Sequence, residues 1–208
     1  MADALTHPAV PFPLVPAGPD GGWTLAPGGR VVATAPARTD FYVDPAREHG
    51  GSGEPLPEAP TLLGVPPAGD LALSARVTVD LTRTFDAGVL MVRRDERTWA
   101  KLCLERSPDA EPMVVSVVTR GVSDDANAFV LEEPSAWLRV SRTGGVYAFH
   151  ASGDGARWRL VRVFSLGPDT SGHELGLEVQ SPVGDGCAVT FDDLRFARDA
   201  PADLRDGS

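Results

Sequence analysis

The stretch Trp99-Ala-Lys-Leu-Cys-Leu-Glu105 decides the fold. In an extended strand successive side chains point to opposite faces, so a strand here sorts its residues by parity. Ala100, Leu102 and Leu104 make one wholly apolar face. Trp99, Lys101, Cys103 and Glu105 make the other: an aromatic, a cation, a thiol and an anion in line. The same two-residue period returns in AWLRVSR (136–142), where Trp137, Arg139 and Ser141 oppose Ala136, Leu138 and Val140. It returns in VYAFHAS (146–152), with Tyr147 and Phe149 against Val146, Ala148 and His150. RWRLVRVF (157–164) sets Trp158, Leu160, Arg162 and Phe164 against Arg157, Arg159, Val161 and Val163.

Working outward, the whole chain is built this way. Strand-like runs are expected near 21–26, 29–34, 38–43, 61–65, 70–80, 86–94, 98–106, 112–120, 136–142, 145–151, 157–165, 173–181 and 187–197, separated by turn residues. No helical period intervenes, and such spacing indicates an antiparallel sandwich or barrel. Gly144-Gly145 and Asp154-Gly155 have the chemistry of two-residue hairpin turns. Residues 1–20 read as a Pro-rich lead-in whose Val10, Phe12, Leu14 and Val15 begin an edge strand. Residues 21–197 form one sandwich domain, and 198–208 a flexible tail. The cluster DPAREHGGSGEPLPEAP at 44–60 reads as a long loop, of the kind that often serves function.

Bulk properties narrow the function classes. At 208 residues, 42% hydrophobic and 23% charged, the chain is an ordinary globular one, long enough for a core without staples. A net charge of −10 repels phosphate backbones and anionic bilayers, which argues against nucleic-acid and membrane partners and chiefly serves solubility. Only two cysteines, Cys103 and Cys187, lie in apolar runs, so a reduced compartment is expected. The start MADALTHPAV lacks the basic and apolar regions of a secretory signal, and the expected location is the cytoplasm. His7, His49, His150 and His173 lack metal-ligand spacing, and no phosphate-binding or nucleophile-elbow motif is present; no cofactor and no metal are expected. SGDGARW is one residue short of an Asp-box and reads as a plain turn with Trp158 behind it.

A set of ordered segments adds a family resemblance. TDFY (39–42), FDAGVLM (85–91), WAKLCLE (99–105), VVSVVTRGVSDD (114–125), WLRVSR (137–142), ASGDGARWRLVRVF (151–164), QSP (180–182) and VTFDDL (189–194) follow in sequence from about 21 to 197. Together they resemble the concanavalin A-like family labelled "regulation of enolase protein". Tyr42 stands where Trp is usual and Ala100 where Val is usual. The resemblance implies an all-β fold of two antiparallel sheets packed face to face, a jelly-roll type of sandwich with one concave sheet. It implies no reaction. Lectin-like and glycosidase-associated domains share the architecture, and fold alone transfers no function.

In that picture Lys101, Glu105 and Arg139 line the concave sheet as a polar set, with Trp99, Trp137 and Tyr147 as flat walls and Asp40 completing the groove. Lys101 and Glu105 sit about 13 Å apart along one strand, so each needs a partner elsewhere. Three readings follow. The first is a binding module for a carbohydrate or sugar-like metabolite. The second is an enzyme on such a molecule with Glu105 or Asp40 as acid or base. The third is an interaction module that regulates a metabolic enzyme. Convergence of Lys101, Glu105 and Arg139 in one concavity is the geometric test of the first two. Ser123, Asp124 and Asp125 end a strand in a polar loop and read as an Asx-type turn rather than a cation site. Cys103 reads as a buried, inert thiol.

Overall fold

The computed structural model describes residues 3–46 and 58–208. Its fourteen strands are β1 (Val15–Ala17), β2 (Thr24–Ala26), β3 (Arg30–Pro36), β4 (Thr61–Gly64), β5 (Leu71–Val79), β6 (Ala87–Asp95), β7 (Thr98–Arg106), β8 (Pro112–Arg120), β9 (Val122–Val130), β10 (Ser135–Thr143), β11 (Val146–Ser152), β12 (Arg159–Phe164), β13 (Glu174–Gln180) and β14 (Gly186–Ala197). They form two seven-stranded antiparallel sheets, ordered β1-β4-β13-β6-β7-β8-β9 and β12-β11-β10-β5-β14-β3-β2. This is the expected concanavalin A-like sandwich.

The inner layer follows from parity. Ala100, Leu102 and Leu104 of β7 face Ala136, Leu138 and Val140 of β10 across the sandwich, all in one buried cluster with Phe149, Val189 and Phe191. Gly88 on β6 packs directly against the second sheet: a Cβ there would stand 2.6 Å from Val77 and Val189 methyls. The first sheet has a second apolar layer on its other face. Val89, Met91, Trp99, Cys103, Val115 and Val117 pack there with Phe41 and Ala59. This explains why β7 and β8 are buried on both faces rather than alternating.

Several expectations change. Residues 38–43 are not a strand. Arg38 N–H donates to the Ser181 carbonyl at 2.9 Å, Ser123 N–H donates to the Val43 carbonyl at 2.9 Å, and Val43 N–H donates to Ser123 Oγ at 2.9 Å. Both ends are thus pinned, one beside β13 and one on β9, and the segment straps across the face of the first sheet. The polar stretch at 122–130 is a strand, β9, at the sheet edge. The lead-in is part of the sandwich: Val15–Ala17 pairs with β4 as an edge strand, and Phe12 and Leu14 are buried in the core. The tail makes contacts with the sandwich. Arg139 donates to the Gly207 carbonyl at 2.6 Å and His150 Nε2 lies 2.8 Å from the Leu204 carbonyl, which docks 203–208 on the outer face of the second sheet. Gly144-Gly145 closes β10 to β11 with φ of +53° and +87°. Asp154-Gly155 lies in a wider turn, gathered by the Asp154 carboxylate accepting from Ala156 and Arg157 N–H groups at 2.9 and 2.8 Å. Of the 44–60 loop, residues 47–57 lie outside the described residues.

Candidate functional site

The centre of the strapped face is Lys101, mid-way along β7, opposite Met91 on β6 and Val117 on β8. Its side chain is 2% exposed. Nζ donates to Asp40 Oδ1 on the strap at 2.9 Å and to Gln180 Oε1 at the end of β13 at 2.6 Å. Burial alone would drive the lysine toward its neutral form, but the nearby Asp40 and Glu178 carboxyls more than offset it, and Lys101 stays an ammonium. Beside it, Glu178 of β13 is fully buried, and neither of its carboxyl oxygens has a hydrogen-bond partner among the described residues. Burial raises its pKa to about 8 against the pull of Lys101. Glu178 is therefore largely protonated at neutral pH, and Asp40 is the counter-ion of Lys101 there.

Two residue pairs along β7, Glu105 lines a cavity of about 290 Å³ between the strap, β7, β8 and β9. Burial lifts its pKa to about 8, with Lys101 pulling the other way and Asp40, Asp125 and Glu178 adding to the rise. Asp40, Lys101 and Gln180 close one side of the cavity, Met113 and Val115 give an apolar wall, and Asp125 and Asn127 stand at its exposed mouth. Tyr42 (44% exposed) and Phe85 (38% exposed) form the rim. Phe85 is held at φ +69°, a region costly for a residue with a Cβ. The constraint comes from its neighbour. The buried Asp86 carboxylate accepts from Thr82 N–H at 3.1 Å, Arg83 N–H at 2.7 Å and Ser181 Oγ at 2.6 Å, tying the turn before β6 to the end of β13. The Phe85 carbonyl in turn accepts from Gln180 Nε2 at 3.2 Å, which orients the amide whose oxygen meets Lys101. A wider hollow of about 400 Å³ is lined by Phe129, Val130 and Leu131 together with exposed charged residues such as Glu132, Arg157 and Arg159, and it holds no buried charge.

The structure brings together Lys101, Glu105 and Asp40 at one cavity, while Trp99 is buried beside Lys101 with its ring edge-on to Phe41 at 5.6 Å and is no wall of that cavity. It separates the others, and the triad of Lys101, Glu105 and Arg139 does not converge. Arg139 and Trp137 lie on β10, in the second sheet, facing away from the core: Arg139 stacks 4.2 Å over Trp158 and Arg76 lies 4.9 Å over Trp137. Tyr147 points into the inter-sheet core, its hydroxyl 2.9 Å from His173 Nδ1. Parity splits a strand between two faces but says neither which face is inner nor which sheet the strand joins: Arg139 and Trp137 were assigned to the wrong sheet, and Tyr147 to the wrong face as well. The binding and enzyme readings, as built on that triad, therefore fail their geometric test, and either one now has to stand on a different cavity, the one that Lys101, Glu105 and Asp40 share without Arg139. Asp124 and Asp125 point to opposite sides of β9, Asp124 to Arg162 at 3.6 Å and Asp125 to the cavity. Ser123 Oγ meets Thr119 Oγ1 at 2.9 Å. The three do not share a ligand sphere, and among the described residues no cluster of His, Cys, Asp or Glu is arranged to hold a metal. Cys103 is buried and its thiol is pushed well up by that burial.

Sequence reading did not find Gln180, Glu178, Phe85 and Asn127. Parity in ELGLEVQ would have placed Glu178 and Gln180 on one face opposite Leu175, Leu177 and Val179. The crossing of the strap, which selects these residues, has no sequence signature.

Comparison with known proteins agrees with this architecture. A protein of Saccharomyces cerevisiae named "Regulation of enolase protein 1" is 29% identical over 168 residues, spanning 78% of this chain and 79% of its own. The crystal structure of a functionally unknown protein from Saccharomyces cerevisiae superposes with a TM-score of 0.76 at 26% identity, covering 88% of this chain and 95% of that one. A GH43 protein, BlXynB of Bacillus licheniformis, has a TM-score of 0.68 at 14% identity; it matches 90% of this chain but only 36% of its own, and shows the fold alone. The family described as "Protein of unknown function (DUF1349)" matches residues 19–199, which takes in the strap, the buried Lys101 and the cavity beside it, and this chain belongs to that family.

Proposed function

We propose that this chain is a binding module that takes one small polyhydroxylated molecule, a sugar or sugar-like metabolite, in the cavity beside Glu105. The observation that carries this reading is the buried Lys101–Asp40–Gln180 cluster forming the wall of a hollow into which a further buried carboxyl, Glu105, faces without a protein partner among the described residues. Buried ion pairs contribute little net stability compared with apolar packing. Their presence in an otherwise apolar layer is better explained by recognition. The volume lies at the low end of the ~300–1,000 Å³ typical of ligand pockets, which fits a single ring. Tyr42 and Phe85 supply aromatic surface at the rim, in the place that sequence reading gave to Trp137 and Tyr147.

A thermal-shift screen of monosaccharides, polyols and their derivatives tests this. A ligand at 100 times its Kd stabilises by about 2.7 kcal/mol, which for a domain of this size raises Tm by roughly 5–11 °C. Tyr42→Ala and Asn127→Ala remove exposed rim groups and are expected to abolish that shift while leaving the unliganded Tm near the wild type. No shift from any compound overturns the reading.

A second reading has one supporting observation, the name of the yeast relative. In it the chain acts on a metabolic enzyme through a protein surface. Adding the purified chain to enolase and finding altered activity, unaffected by Tyr42→Ala, supports this alternative over the cavity. A catalytic role draws support from the Glu105 carboxyl, held near 8 and able to act as a general acid. It requires turnover that Glu105→Gln abolishes. The two cysteines are free and buried, which supports the expected reduced, cytoplasmic setting.

A further inference from the structure

We infer that the occupant of the cavity carries a positive charge: a small hydroxylated amine whose ammonium is received by Glu105. The inference rests on reading the cavity as a ligand site and deepens it by naming the chemical class.

Glu105 is 7% exposed and lines the cavity, and its carboxyl makes no hydrogen bond to any described residue. An ionised carboxylate has about four acceptor positions to fill. Lys101 does not fill them. The two sit about 13 Å apart along the strand, and Lys101 directs its ammonium to Asp40 and Gln180 instead. The remaining polar groups of the cavity deepen the deficit of positive charge. From the strap Asp40 and Tyr42 line it, from β13 Gln180, from β9 Asp125 and from β7 itself Lys101, while Glu178 of β13 and Cys103 of β7 are buried outside its lining, Glu178 near enough to act on the Glu105 carboxyl. Strands β6 and β8 contribute apolar Ala87 and Met113 beside Glu105. Lys101, the one cation lining the cavity among the described residues, is already paired with Asp40, and Glu105 and Glu178 ionise as pH rises. A phosphorylated or carboxylated metabolite finds no free cation here and is disfavoured. A neutral polyol satisfies the hydrogen-bonding capacity but leaves the charge. An ammonium satisfies both, and the aromatic rim of Tyr42 and Phe85 suits a cation as well as it suits a ring.

The proton accounting follows from the same geometry. Glu105, with its pKa near 8, holds a proton at neutral pH in the empty cavity. A bound ammonium favours the ionised carboxylate, so binding releases that proton to solvent. Affinity for a cation then rises as pH is brought from about 6 to about 8, and affinity for a neutral analogue does not.

Calorimetric titration of the full chain with N-methylglucamine and with sorbitol, its uncharged counterpart, at about pH 6 and about pH 8 tests this. The amine is expected to bind about tenfold or more tighter than sorbitol at the higher pH, the worth of a charge-assisted hydrogen bond. That advantage shrinks at the lower pH and is lost in Glu105→Gln, a variant that keeps the shape of the protonated side chain. Asp125→Asn, at the exposed mouth, is a second variant and is expected to weaken the amine without touching the buried layer. Equal binding of amine and sorbitol overturns the charge inference and leaves the cavity as a polyol site. Tighter binding of the amine that persists undiminished in Glu105→Gln overturns the assignment to Glu105. No binding of either compound at either pH overturns both this inference and the reading on which it rests.

Discussion

Replacing Lys101 with Met keeps most of the side-chain volume and removes one charge. Lys101 is 2% exposed and bridges two elements, the strap through Asp40 at 2.9 Å and β13 through Gln180 at 2.6 Å. Removing one partner of a buried ion pair typically costs about 3–5 kcal/mol, because the other charge is left desolvated and unpaired. For a domain of this size that is a fall in Tm of roughly 6–20 °C. Lys101→Met/Asp40→Asn removes both charges and is expected to recover about 1–3 kcal/mol of the loss, the coupling normal for groups in direct contact. The deficit of the single variant also grows with pH. Lys101 pulls the pKa of Glu105 and Glu178 down to about 8; without it both hold their protons to higher pH, so the variant goes on losing stability above the point where the wild type levels off. Urea unfolding at several pH values between about 6 and 9 measures all three effects. A loss below about 1 kcal/mol for Lys101→Met, or a double variant that merely sums the two singles, refutes the claim that this pair organises the face.

Other consequences are equally accessible. Burial raises Glu178 from 4.5 to about 8 in the folded chain, so the native state binds its proton more tightly than the unfolded one. Its contribution is complete below about pH 4.5 and is lost as pH rises through 8, and Glu178→Gln is expected to flatten that alkaline fall in urea titrations; parallel curves for the two proteins would sink this account. Gly88→Ala places a Cβ 2.6 Å from stiff valine methyls on both β5 and β14, and is expected to cost about 1–3 kcal/mol by chemical denaturation. Cys103 and Cys187 are buried and their thiols are raised, so neither is expected to react with a thiol reagent until the chain unfolds. Arg139→Ala is expected to speed amide exchange in the docked tail at 203–208 and to leave cavity ligands bound as in the wild type, because its partners are Gly207 and Trp158.

How much of this was legible in the sequence depends on the range of the signal. Parity is local, and it read correctly the inner face of β7 and of β10 from WAKLCLE and AWLRVSR; in VYAFHAS it separated the two faces, but Tyr147 was given to the groove when its face is the inner one. It failed at β9, where Ser123, Asp124 and Asp125 look like a turn because both faces of an edge strand carry polar groups. It failed again at 38–43, whose apolar Phe41 and Val43 imitate a strand but are buried by crossing one. The long-range grouping was beyond its reach. Trp99 and Trp137 each stand on an amphipathic strand face with a basic residue two positions on, and nothing within either segment says that one faces the strap and the other the solvent side of the partner sheet. Asp40 was the exception, drawn to the site by its place in TDFY.

The two outer faces of the sandwich show why that difference matters. Each carries a cation against aromatic groups: Lys101 lies 5.9 Å from the Trp99 ring, and Arg139 lies 4.2 Å over Trp158. On the second sheet the covering element is the tail, which meets Arg139 with a backbone carbonyl and closes down on it so tightly that a Cβ on Gly207 would stand 2.9 Å from the guanidinium. On the first sheet the covering element is the strap, which meets Lys101 with a carboxylate and stops short of Glu105. A cover that only had to complete the fold would be expected to shed the cost of buried carboxyls, since apolar replacements pack as well. The strap instead holds Asp40 against Lys101, and the tied turn at Asp86 holds Phe85 in a costly conformation at the edge of the same cavity. Local costs of this kind persist where the surrounding structure fixes them and concentrate at sites of function. They coincide here at the one cavity where a buried carboxyl, among the described residues, still lacks a partner.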